Sequence, residues 1–457
     1  MGISRRTLLG AAGTVPLWTG AFRGTAFAQT APVGPAASEI PPILFVHGNG
    51  DHAALWITTL WRMESNGVPR ERMRAINFTD PLARTDDAVA QENRSSTADQ
   101  RRELSEAIKE LKQRTGASRV ALVGNSRGGN AIRNVIKNGG GADVSHAVLC
   151  GSLNHGAFDW EDNPGNEFNG RGAFLRELNA GESEVAPGTA FLTLRSDGMD
   201  KYAQADGRFV GKPGVATNVT NEGPALKGAT NLMLGTIDHR ETAFHPRAFR
   251  EIYKFIAGRE PSRIEIVPEA EVRLSGLVTA TPGGVQTNRP VGGATVEIYH
   301  VSPDSGERTS GPIHSSKTSA DGRWGPANVD PSWYLEMVLT SPGEAITHIY
   351  RSPFPRSSDI VHLRAAKPLG AADAGAGSVV ILTRPRGYFG LPRDVVLFDG
   401  KEPADVKPGV PTDSTSTLRL PAGEVGRPVV TMFNQERIVA KAWPASENRI
   451  VMAELTY

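Results

Sequence analysis

Five residues, Gly124-Asn125-Ser126-Arg127-Gly128, carry the strongest chemical signal in this 457-residue chain. They stand between an apolar run, Val120-Ala121-Leu122-Val123, and a helical pattern from Ala131 to Lys137. A serine between two glycines in that setting has the spacing of a nucleophile elbow, a sharp strand-to-helix turn. Side chains beside the serine would collide with the flanking strand and helix, so glycine is needed on both sides. The helix that follows aims its first N–H groups at the serine and favours negative charge developing there. Attack by such a hydroxyl on an acyl carbonyl creates an oxyanion that requires two backbone N–H donors. One is expected from Arg127. The other is expected from the loop His47-Gly48-Asn49-Gly50, with Asn49 as the donor. His47 is expected to brace that loop through its ring. A metal role for His47 and His52 has only spacing in its favour, because no carboxylate-rich ligand set accompanies them.

These residues need a scaffold, and the pattern of the first half supplies one. Short apolar runs predict strands at Ile43–Val46, Val120–Val123, Ala147–Cys150, Ala190–Leu194 and Asn231–Leu234. Helices are predicted over Thr97–Thr115, with Leu104, Ile108 and Leu111 on one face, and from Pro246, with Phe249, Ile252, Tyr253 and Ile256 on one side. Alternating strands and helices of this kind imply a mostly parallel sheet covered by helices.

With elbow, glycine loop and alternation together, residues 40–260 resemble the α/β-hydrolase superfamily, in particular small bacterial lipases with an H-G-x-G loop. Followed by a β-rich region, the arrangement also resembles an archaeal-type lipase with a C-terminal lipid-binding β-barrel. The resemblance implies a triad in the chain order Ser, acid, His. Ser126 is then the nucleophile. His239, in Asp238-His239-Arg240-Glu241, is the expected base, ahead of His245 at a helix start. The acid is expected at Asp200, with Asp197 as the alternative. Asp238 reads as a surface carboxylate and His155 as a neighbour of the pocket. Ala53, Leu55, Trp56 and Trp61 read as pocket wall or as core, and residues 157–185 as polar, without a long apolar lid. The implied activity is a serine carboxylic-ester hydrolase that cleaves lipid-like esters through an acyl-enzyme and needs no cofactor and no metal. A polyester depolymerase, an amidase of the same fold and a non-catalytic surface-binding protein are the alternatives.

Beyond Gly258 the helical patterns stop, and β-type runs alternate with Gly, Pro, Asp and Ser. Residues 265–365 resemble prealbumin-like sandwiches through Gly293 to Tyr299, Ala320-Asp321-Gly322-Arg323-Trp324 and Tyr334, or form a generic β-sandwich. Residues 366–378 read as a linker and 379–457 as a second β domain. A lipid or polymer surface is the expected partner of this region. At the other end, Arg5-Arg6, an Ala- and Gly-rich run and Ala26-Phe27-Ala28 resemble a twin-arginine export signal over residues 1–28, followed by a linker at 29–39. Periplasmic or secreted placement is therefore expected. With 50 basic against 49 acidic residues and no basic stripe, nucleic acid is not an expected partner. A single cysteine, Cys150, excludes an intrachain disulfide and a Cys-based zinc cluster. No transmembrane segment is expected in the chain after residue 28.

Overall fold

The computed structural model describes residues 40–457, so the twin-arginine segment 1–28 and the linker 29–39 lie outside the described residues. Six strands build the first sheet: β1 (Ile43–Val46), β2 (Met73–Ala75), β3 (Val120–Asn125), β4 (Val144–Cys150), β5 (Ala190–Ser196) and β6 (Thr230–Leu234). They are ordered β2-β1-β3-β4-β5-β6 and every neighbouring pair is parallel. Helices cover both faces, which is why all of β1 and β3 is buried.

The helices are α1 (Ile57–Ser65), α2 (Thr97–Thr115), α3 (Arg127–Lys137), α4 (Ala173–Leu178), α5 (Glu241–Phe244) and α6 (Pro246–Ala257). On one face Leu104, Ile108 and Leu111 of α2 and Ile132 and Val135 of α3 pack against Leu44, Leu122 and Leu149. On the other, Phe249, Ile252 and Tyr253 of α6 join Leu60 and Met63 of α1 over Phe45 and Val123. Each such side chain contributes about 1.5–3 kcal/mol relative to exposure. Helix α2 is stopped at both ends by local chemistry. Ser96 and Asp99 form a capping box, and Gly116 closes the helix at φ 68°.

Helix α1 was not legible as a helix because it is apolar on two sides. Leu60 and Met63 enter the hydrolase core, whereas Ile57 and Trp61 enter a second core with Val272, Leu274 and Trp324. The Trp61 indole N–H donates to the Ser357 carbonyl at 3.0 Å. Leu55, Trp56 and Trp61 are therefore core rather than pocket wall.

The remainder is all β. A three-stranded sheet runs Arg323–Val329, Val272–Thr279, Ser358–Arg364, and a second one Val396–Phe398, Pro428–Phe433, Glu436–Lys441. Between their cores lies a seven-stranded sheet. In it Arg449–Glu454 lies parallel to, and between, Ile346–Arg351 and Ser378–Thr383. The expected division at 366–378 into two separate β domains is thus corrected. There are two apolar cores, one around Val272, Trp324 and Leu335 and one around Val380, Phe389 and Val451, but one sheet spans both. The physical reason is the strand Arg449–Glu454. Its Ile450, Val451 and Ala453 are all buried, and both its edges are paired. Among the described residues no helix is long and apolar enough to cross a membrane.

Candidate active site

The elbow forms where β3 meets α3. Ser126 has φ 53° and ψ −123°, a left-handed conformation that a non-glycine residue holds only where its surroundings enforce it. Its N–H donates to the Cys150 carbonyl at 2.8 Å, and its carbonyl accepts from Gly129 N–H at 3.0 Å. The flanking glycines are sterically required. A Cβ on Gly124 would stand 2.8 Å from the Gly128 carbonyl, and one on Gly128 would stand 2.5 Å from the His47 carbonyl. Close contact of the elbow with β1 thus brings the glycine loop beside the serine.

His47 fixes that loop. Its Nε2 accepts the Phe78 N–H at 3.0 Å, so the ring proton sits on Nδ1, which donates to the Gly48 carbonyl at 2.8 Å. Burial lowers the basicity of this imidazole and favours the neutral form. The Asn49 side chain is spent on structure, its Oδ1 accepting the Ala83 N–H at 2.8 Å. Asn49 lines the cavity.

His239 follows β6, and Asp200 follows β5. The two meet: His239 Nδ1 lies 2.8 Å from Asp200 Oδ2, both groups buried. The other carboxylate oxygen of Asp200 accepts the Tyr202 N–H at 2.8 Å, and the Tyr202 ring stands edge-to-face on the imidazole at 4.7 Å. The Asn125 amide donates to the Cys150 and His239 carbonyls at 3.0 and 3.3 Å, tying the elbow to the histidine loop. His239 Nε2 is buried and makes no hydrogen bond. Ser126, His239, Gly48 and Asn49 line one cavity of about 250 Å³.

Other candidates sit elsewhere. Asp197 does not reach His239; its oxygens accept the Met199 N–H at 3.1 Å and the Thr236 N–H at 2.7 Å. His245 caps α6 by accepting the Arg247 N–H. His155 pairs with Glu184 at 3.0 Å, outside this cavity. Asp238, expected at the surface, is instead fully buried. Its Oδ1 accepts the N–H groups of Arg240 and Glu241, and its Oδ2 takes Arg384 Nη1 at 3.1 Å and the Tyr388 N–H at 2.8 Å.

Three features escaped the sequence reading. Segment 157–185, read as polar, supplies Ala157, Phe158 and Phe168 to the cavity wall, joined by Leu153, Phe209 and Val210. Aromatic residues spaced among Asp and Asn give no periodic signal, and only their crowding between Phe158 and Phe168 hinted at this. The Arg127 side chain is fully buried on Glu167, Nε to Oε1 at 2.6 Å, fastening that segment to the elbow. Burial pushes the Glu167 carboxyl up to about 7 despite the arginine. Lastly, Tyr388, from the far β region, lines the cavity too.

Two family models match the chain. Residues 42–191 match the palmitoyl protein thioesterase model, and residues 270–368 match the lipase C-terminal domain model. No curated protein matches it. Similar solved structures include lipase B of Aspergillus fumigatus, 14% identical over 49% of this chain with a TM-score of 0.34. The chain spans only 54% of that protein's length. Lipase BlEst2 of Bacillus licheniformis is 20% identical, with 50% of this chain and 96% of that one covered and a TM-score of 0.35. Phospholipase PlaB of Legionella pneumophila is 13% identical, with 72% and 94% covered and a TM-score of 0.30. One family model falls on the first strands of the parallel sheet and its elbow and the other on the β region behind it, so the chain is similar to α/β-hydrolase lipases and esterases that carry a C-terminal domain.

Proposed function

We propose that the protein is a serine hydrolase of carboxylic esters with lipid-like acyl groups. The observation that carries this reading is the buried His239–Asp200 contact at 2.8 Å, whose imidazole shares one cavity with a serine held in a strained elbow. Asp200 holds the proton on Nδ1, which leaves Nε2 as the base. Nε2 takes the Ser126 proton as the hydroxyl attacks the ester carbonyl. The tetrahedral oxyanion accepts from the backbone N–H groups of Arg127 and Asn49. His239 then gives its proton to the leaving alcohol. Water, deprotonated by the same imidazole, releases the acid from Ser126. The apolar wall of Phe158, Phe168 and Val210 supports an acyl chain rather than a charged group.

Stopped assays with p-nitrophenyl esters of short to long acyl chains test this. Wild-type turnover together with its loss in Ser126→Ala supports the reading; turnover that survives in Ser126→Ala ends it. Thioesters are the second reading, supported by the family model that matches residues 42–191. The same triad cleaves them, and matched oxyester and thioester substrates separate the two. An amidase is tested in the same way with a matched amide. For residues 1–28 the export reading predicts that Arg5→Lys with Arg6→Lys retains the protein in the cytoplasm, as fractionation would report.

A further inference from the structure

We propose that Tyr388, contributed by the last β region, is the wall against which the leaving alcohol of the substrate lies. Tyr388 therefore sets specificity for that half of the ester. The inference rests on the ester-hydrolase reading above and deepens it. Tyr388 falls beyond both family-matched stretches.

The side of the cavity is fixed by the chemistry of the histidine. An imidazole that protonates the leaving oxygen must lie within hydrogen-bond reach of it, so the alcohol sits beside His239. Tyr202 packs on that ring at 4.7 Å. Lys201 Nζ lies 5.2 Å from the Tyr202 ring and 4.1 Å from the Tyr388 ring, so one ammonium bridges the two phenols. From the other flank of the histidine, the Arg240 guanidinium lies 5.1 Å from the Tyr388 ring. Tyr388 thus touches the neighbours of both the acid and the base. The apolar lining of Phe158, Phe168 and Val210 comes from other segments of the chain and is left for the acyl chain.

A residue discriminates by shape only if it cannot retreat. Tyr388 is 4% exposed and is held by its backbone. Its N–H donates to Asp238 Oδ2 at 2.8 Å, and its carbonyl accepts Arg384 Nη1 at 2.6 Å. The same arginine reaches Asp238 at 3.1 Å and Glu241 at 2.7 Å. The loop carrying the base and the loop carrying Tyr388 are thereby one buried unit.

The test uses the full-length protein and two substrate series. One holds the acyl group at butyryl and varies the alcohol from ethyl to hexyl to naphthyl; the other holds ethanol and varies the acyl chain. In Tyr388→Ala the naphthyl-to-ethyl ratio of kcat/KM should rise about tenfold or more, and in Tyr388→Trp it should fall, with the acyl profile within about twofold of wild type in both. Thermal melting checks folding. If the alanine variant does not fold, the tryptophan variant alone decides, by the direction of its ratio. A shift confined to the acyl series, or unmoved ratios in the folded variants, overturns the proposal. Failure of the underlying reading has a different signature: a wild-type protein that hydrolyses no ester and is not labelled at Ser126 by a fluorophosphonate. Both ideas then fall together.

Discussion

Asp197 and Asp200 stand three residues apart on one loop, yet only Asp200 reaches the imidazole. Asp200→Asn should therefore lower kcat by up to about ten thousandfold, because the amide favours the wrong histidine tautomer. Asp197→Asn should stay within a few-fold of wild type; steady-state kinetics on one ester separates them. Sequence narrowed the acid to these two and could go no further, since the choice depends on how the loop turns toward a strand end some forty residues later. Ser126 was legible because the elbow is a local steric requirement. Asp238 was misread because its cations, Arg384 and Arg393, lie about 150 residues downstream. Glu167 gives a pH effect of definite sign. Between its ordinary value of 4.5 and about 7, the folded state keeps a proton that the unfolded chain has lost. Stability contributed by this group is thus present below pH 4.5 and is lost as pH rises through that window. Melting temperature measured from pH 4 to pH 8 should fall less steeply in Glu167→Gln than in wild type.

Helix α3 illustrates how little room an element of this kind leaves. Gly128 touches the backbone of His47 and Val46 so closely that a methyl group cannot be added without moving the helix or the loop. Gly128→Ala should cost about 1–3 kcal/mol in urea unfolding. It should also reduce kcat by more than the lost stability explains, since the displaced loop carries Asn49. Helices α2 and α6 were readable because each shows one apolar face to one core, and the strands because burial on both faces makes each a short continuous apolar run. Helix α1 was not, because Ile57 and Trp61 serve one core and Leu60 and Met63 another. A single-core periodicity never appears in such a segment.

At the scale of the molecule, that shared helix and the buried ions around Asp238 and Glu241 join the parallel sheet to the β region. Arg384→Gln leaves two buried carboxylates short of a partner and should cost about 3–5 kcal/mol. Calorimetry of the wild type should give one transition rather than two; well-separated peaks would contradict a joined core. The seven-stranded sheet carries a further consequence, set by the order of synthesis. Its strand Arg449–Glu454 lies between strands made some seventy to a hundred residues earlier. A ribosome that has released everything up to residue 440 still exposes two open strand edges facing a gap. Zippering across that gap waits until Arg449–Glu454 has been made, so products truncated before it should be sticky and short-lived, and slowing elongation over that strand should raise the demand for chaperones.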